Sequence, residues 1–129
     1  MDRANYIPAP HYFNLSMACS LLVEAYGPHV YLVGSSLERR DYRDVDVRCI
    51  LDDDDFDRHF PGAMSAANPS LHALWSITCA AISLWLSQQS GLPIDFQIQR
   101  RTEINKQAGN TQRHPLGLFV RSTEVPDAR

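Results

Sequence analysis

From Leu92 to Gln99 the chain alternates: Leu92, Ile94, Phe96 and Ile98 are apolar, and Asp95, Gln97 and Gln99 between them are polar. Successive side chains of a strand point to opposite faces, so this run has one face that must be buried and one that need not be. Asp44 to Leu51 begins the same way, with Val45, Val47 and Cys49 on one side and Asp44 and Asp46 on the other. A third run, His29-Val30-Tyr31-Leu32-Val33, is β-branched and aromatic and reads as the first strand. Three such strands demand a sheet with one face covered.

Helical patterns supply the cover. Asn14 is placed to cap a helix over Leu15–Tyr26, preceded by an extended lead-in over residues 1–11 and ended by Gly27-Pro28. Asn68-Pro69 opens the longest helix, which runs to Ser90 and stops at Gly91. Ser35 and Glu38 have capping-box spacing for a short turn. The acidic stretch Asp52–Phe60 reads as a short helix or turn closed by Pro61-Gly62, its carboxylates solvated. One helical turn is expected near Glu103–Gln107, and Leu116–Val120 is expected to pack back on the domain. The predicted fold is α/β (α+β), a small mixed β-sheet flanked by helices. A length of 129 residues predicts one domain, with a motif core over residues 30–99 and a polar C-terminal segment over 100–129.

Several function classes are disfavoured. The long helix is interrupted by His72, Ser76, Thr78 and Ser83 and falls short of the roughly twenty apolar residues a span needs, so no membrane role is expected. Cys19, Cys49 and Cys79 are thirty residues apart, which fits neither a disulfide framework nor a zinc knuckle. Free, buried thiols and the absence of a signal-like N-terminus predict a reducing, cytoplasmic location. A net charge of −3 argues against a general nucleic-acid coat protein. The charge is uneven, however: six Lys/Arg against twelve Asp/Glu up to Phe96, then six against three from Gln97 onward. Either the basic end is a solvated tail, or it meets a phosphate-bearing ligand. The five histidines lack metal-ligand spacing, and no serine has a G-x-S-x-G context.

The chemistry lies in Val33 to Val47 and in Asp95. Asp44 and Asp46 project together from one strand, and two bare carboxylates side by side repel unless something positive joins them. A hard divalent cation with oxygen ligands resolves that conflict. If the Leu92–Gln99 strand pairs in register beside Asp44–Leu51, Asp95 completes a carboxylate trio. Such a trio can clamp two magnesium ions about 4 Å apart. Gly34 lets the backbone approach a phosphate closely, and the amides that open the next turn favour an anion. The Ser35 hydroxyl can add a hydrogen bond, with Ser36 beside it. Arg39, Arg40 and Arg43 can neutralise a triphosphate, or else form a solvated turn with Glu38 and Asp41.

A strand ending in Gly-Ser, a short helical stretch, Asp-x-Asp in the next strand and a single Asp in a later one resembles the DNA polymerase β-like nucleotidyltransferase superfamily, in the form of a minimal single-domain member. The likeness covers roughly Val30–Gln99, and the eight residues between Ser35 and Asp44 are on the short side for that family. The resemblance implies transfer of a nucleoside monophosphate from an NTP, such as ATP, to a hydroxyl of a protein, an RNA or a small molecule. It implies Mg2+ as cofactor, two ions, with Mn2+ as a substitute. Gly34, Ser35, Ser36, Arg39 and Arg43 would hold the nucleotide. Asp44, Asp46 and Asp95 would be catalytic and ligate the metal, Asp95 also helping to deprotonate the nucleophile. The competing reading is a catalytically inactive module of the same fold that binds a nucleotide or docks a partner protein. With only about thirty residues after Gln99, the base and acceptor sites would have to be shallow or completed by another chain. A homo-oligomer or partner protein is therefore expected; the long helix either leaves an uncovered stripe holding Trp75 or Trp85, or is buried completely by the Leu15–Ala25 helix and the Leu116–Val120 segment.

Overall fold

The computed structural model describes residues 5–63, 72–108 and 112–117. Within them the order is α1 (Ala9–Tyr26), β1 (Val30–Val33), a 3-10 turn (Ser35–Leu37), β2 (Val45–Leu51), α2 (Asp53–His59), α3 (Ala73–Ser90), β3 (Ile94–Arg100), α4 (Arg101–Ala108) and β4 (His114–Pro115). The fold is α+β, a four-stranded mixed sheet of order β3-β2-β1-β4 flanked by helices. β1 runs antiparallel to β2 and to β4, whereas β2 and β3 are parallel.

The alternation in the sequence becomes the two faces of this sheet. Val30 and Leu32, Val45, Val47 and Cys49, and Ile94, Phe96 and Ile98 are all buried. They join Leu15, Ala18, Cys19 and Leu22 of α1 in one core. Burying apolar side chains of this size stabilises a fold by roughly 1.5–3 kcal/mol each before chain entropy is counted. The polar residues of the same strands stand on the other face and stay partly exposed.

α3 does a different job from the one its composition suggests. β3 is the last strand on its side of the sheet, and the helix seals that edge. The Ile94 amide donates to Ser87 Oγ at 3.0 Å, the Phe96 amide to Ser83 Oγ at 2.8 Å and the Ile98 amide to Cys79 Sγ at 3.5 Å. The Trp75 indole N–H donates to the Ile98 carbonyl at 2.8 Å. Trp75, Cys79, Ser83 and Ser87 recur every fourth residue, a rise of about 6 Å, and alternate strand residues rise by about 6.6 Å. The two spacings match, so one helical stripe meets successive free backbone groups of the strand. An open edge that would invite another strand is closed.

Several local expectations change. α1 begins at Ala9, not Leu15, with Pro8 as its cap residue and another proline in its first turn, where the missing N–H costs nothing. Asn14 is therefore inside the helix. The 3-10 turn has Gly34 at its start and no side-chain cap; the Leu37 amide donates to the Gly34 carbonyl at 3.1 Å in place of a Ser35–Glu38 box. The expected helical turn near Glu103 is a full helix, α4. β4 was not foreseen, because two residues carry no period. It pairs with Tyr31 and Leu32, and the next residue, Leu116, is fully buried. The long helix begins at Ala73, not Pro69: His72 is extended and caps it, its Nδ1 accepting from the Trp75 amide at 3.3 Å. Residues 64–71 and the stretch beyond Gly117 lie outside the described residues.

Trp75 is buried rather than displayed, and Trp85 packs partly buried against the core. The exposed apolar residues are instead Leu74, Ile77 and Leu84 on α3, and Phe13, Met17 and Leu21 on α1. No described helix is long and apolar enough to cross a membrane. All three cysteines are free and buried. Burial raises the thiols of Cys19 and Cys49 to about 12, so they are unreactive hydrophobes.

Candidate functional site

The end of β1 and the starts of β2 and β3 lie together at one end of the sheet. Val33, the last residue of β1, pairs with Asp46, and Asp46 pairs in turn with Asp95 across the parallel ladder. The register is held ahead of the carboxylates by the Val45 amide, which donates to the Pro93 carbonyl at 2.8 Å. A slip of one residue would have turned Asp95 into the core. Asp44 precedes β2 in a bend and is exposed, so strand alternation does not orient it.

Gly34 follows Val33 with φ +87° and ψ −160°, a region that only glycine enters without strain. A Cβ there would collide with the Asp46 carboxylate, whose Cγ would lie 3.2 Å away. The backbone is thus laid directly against this acid, as close approach by glycine allows. Ser36 is fully buried, and its Oγ has no hydrogen-bond partner. The turn's own bonds take up the amides of Leu37, Glu38 and Arg39. Of the two amides that open the turn, that of Ser35 is on a half-buried residue and that of Ser36 on a fully buried one. The Ser36 carbonyl accepts from the Tyr6 amide at 2.8 Å, tying the lead-in to the turn.

Asp46 is the electrostatically loaded member. Burial raises its pKa; Arg48 pulls it down, and Asp95 and Asp44 push it up. The arginine was overlooked in the sequence, although the alternation that exposes Asp46 puts Arg48 on the same face. Its Nη1 donates to the Asp95 carbonyl at 2.7 Å and to the Val47 carbonyl at 3.1 Å. Its Nη2 is 3.5 Å from Asp95 Oδ2 and 3.9 Å from Asp46 Oδ1. The same face continues into Gln97 and Gln99, where the Gln99 Nε2 donates to Gln97 Oε1 at 3.2 Å. The Gln99 Oε1 is buried without a partner.

Arg39 and Arg43 are both exposed on the linking turn. Arg39 Nε sits 3.4 Å from Asp41, an ion pair at the surface of the turn. Arg40 lies over the Tyr6 ring at 6.0 Å. Among the described residues no three His, Cys, Asp or Glu side chains converge as a ready metal cage. The donor set is nonetheless oxygen from carboxylates, the chemistry a hard cation takes, and the desolvated Asp46 is the group that would gain from one.

The other end of β2 and β3 holds the acidic run, which forms the expected short helix α2 with its carboxylates largely at the surface, several of them paired within the chain. Asp52 accepts from Arg101 Nε at 2.8 Å, and Asp57 from Arg100 Nε and Nη2 at 3.0 and 3.1 Å. Asp53 accepts from the Thr102 amide at 3.0 Å and from its hydroxyl at 2.5 Å, which secures the start of α4. The first two basic residues of the C-terminal quarter, Arg100 and Arg101, thus pair with carboxylates of this chain. Comparison with protein-family models, with curated proteins and with solved structures gave no match to this chain.

Proposed function

We propose that the chain is a metal-dependent nucleotidyltransferase, transferring a nucleoside monophosphate from an NTP to a hydroxyl of a protein, an RNA or a small molecule. The observation that carries this reading is the pairing of Asp46 with Asp95 under the Gly34 backbone. A glycine turn able to accept a phosphate and two adjacent carboxylates able to take a cation occupy the same end of one sheet. Asp46 and Asp95, with Asp44 at the rim, would hold Mg2+ or Mn2+, whose contribution is to neutralise phosphate charge. The amide and hydroxyl of the half-buried Ser35 would receive phosphate oxygens, and the buried, unpartnered Ser36 hydroxyl would reach one only if the turn opened. Asp95 would take the proton from the acceptor hydroxyl as its oxygen bonds to the α-phosphorus and the bond to pyrophosphate breaks.

Incubation with each labelled NTP and Mg2+, with and without EDTA, tests it. Label on protein or RNA that depends on the metal and disappears in Asp46→Asn is the expected result. Triphosphate binding that is equal with and without metal sinks the reading.

One observation favours the second reading, an inactive module of the same fold. Arg48 already supplies positive charge to Asp46 and Asp95. Asp46→Asn and Asp95→Asn leave partner docking by a module of that kind largely intact, whereas they abolish the turnover of an enzyme. The exposed stripes of α1 and α3 suit association with another copy, which sedimentation at micromolar concentration measures. The free, buried thiols suit a reducing compartment such as the cytoplasm.

A further inference from the structure

We propose that Arg48 is a positioning residue and the site's resident cation: it fixes the Asp95 carboxylate and keeps a divalent ion from binding tightly until a triphosphate arrives with it. The proposal rests on reading this end of the sheet as a metal and triphosphate site.

The geometry argues for permanence. A guanidinium cannot lose its proton in a protein, so its charge is always present. Nη1 is pinned by two backbone carbonyls, those of Val47 and Asp95, at 3.1 and 2.7 Å. Neither carbonyl can move without moving β2 or β3. Nη2 is the part of the fork turned to the acids, 3.5 Å from Asp95 Oδ2 and 3.9 Å from Asp46 Oδ1. The side chain is 16% exposed, so solvent screens it little. A planar fork held at one nitrogen orients whatever the other nitrogen faces, and here that is the Asp95 carboxylate.

The charge balance then sets the order of binding. Asp44, Asp46 and Asp95 against Arg48 leave two formal negative charges, enough to hold one divalent ion weakly. A second ion, or a tightly held first one, faces the fixed positive charge of Arg48. A triphosphate brings more negative charge than Arg48 opposes, so metal and nucleotide bind together. Arg48 thereby offsets part of the repulsion between Asp46 and Asp95 in the free protein without closing the site to a charged substrate.

The test is Mn2+ alone, titrated into the full chain and followed by the resonance signal of the free ion, with no nucleotide present. The wild type is expected to bind weakly. Arg48→Gln and Arg48→Met, the latter keeping an apolar stem, are expected to bind Mn2+ at least tenfold more tightly. Arg48→Lys, which restores the charge, is expected to return to weak binding. The gain in Arg48→Met must vanish when Asp46→Asn is added; a gain that survives places the ion elsewhere and overturns the proposal. Wild-type affinity in Arg48→Gln and Arg48→Met also overturns it. So does tight Mn2+ binding by the wild type without nucleotide, a measurement that needs no variant to fold. Damage to the fold loosens a site, so tightening is not a readout that a merely structural arginine produces. NTP binding and transfer are measured separately. Tightening without any NTP binding upholds Arg48 as the cation that opposes the metal but overturns its triphosphate-dependent role together with the transferase, whereas transfer without tightening overturns the Arg48 proposal and keeps the transferase.

Discussion

Two acidic clusters occupy opposite ends of the same pair of parallel strands, and they are built on opposite principles. At the far end, Asp52, Asp53 and Asp57 each accept hydrogen bonds from Arg100, Arg101 or Thr102. The hydrogen bonds from the Thr102 hydroxyl and amide pull Asp53 below the usual carboxylate range. At the near end Asp46 has one cation at 3.9 Å, and burial drives it above that range. Carboxylates made for stability are matched to donors; a carboxylate left short of them and half out of water stores a demand for positive charge. By sequence alone the far cluster is the richer in acid. The difference lies in what each acid touches.

The largest expected effects separate the two ends by function. Asp46→Asn should cost more than tenfold in metal-dependent triphosphate binding, about 1.4 kcal/mol or more. Asp44→Asn should cost as much. Asp95→Asn should mainly lower kcat and leave binding comparatively intact. Asp53→Asn and Asp57→Asn should change neither by more than about threefold, since their work is done within the fold. Calorimetry with and without Mg2+, and steady-state rates, measure all five. A far-end variant that loses binding as severely as Asp46→Asn would collapse the distinction.

Gly34→Ala sharpens the comparison from the backbone side. The new Cβ meets a side chain, Asp46, rather than rigid backbone, and the strained φ adds roughly 1–3 kcal/mol. The carboxylate should be displaced, with metal-dependent binding falling at least as far as for Asp46→Asn and a lower Tm by differential scanning. An alanine variant that binds normally would show that the glycine serves the turn alone.

The smallest effects are on stability, and they have opposite signs. Without metal at neutral pH, Asp46→Asn should raise Tm by about 2 °C, equivalent to roughly 0.5 kcal/mol. Asp53→Asn should lower it. The pH dependence follows from the directions of the shifts. Asp46, raised in the fold, is at its most favourable below its ordinary 3.8 and loses as pH rises through the higher folded value. Asp53, lowered in the fold, contributes fully above 3.8 and loses that contribution as pH falls through the lower folded value. The stabilisation by Asp46→Asn should therefore fade on going from pH 7 to pH 3.5, with the Asp53→Asn deficit persisting longer. Thermal melts across that range check both.

Much of the architecture was legible beforehand because it is written in local periods. Alternation marked β2 and β3, and the Gly91 stop marked the end of α3. The order Gly34-Ser35, Asp46, Asp95 could be read as one constellation because each member sits at the end of a periodic segment. Arg48 was equally legible, by the same alternation, but a lone arginine two residues past an acid carries no signal until its distance to a second strand is known.

The sequence by itself determined where the three longer strands and the two long helices lie and which side of β2 and β3 is polar, since those are set by neighbours within a few residues; the exact helix starts and the two-residue β4 were not among them. Only the tertiary structure decided what each side faces. It set Asp46 beside Asp95 through a ladder between strands 49 residues apart, and aligned Trp75, Cys79, Ser83 and Ser87 with the free edge of β3. It also tied the acidic run to Arg100 and Arg101. Faces follow from the covalent geometry of one segment. Registers and ion pairs follow from which segments are pressed together when the core closes, and that is a property of the whole chain.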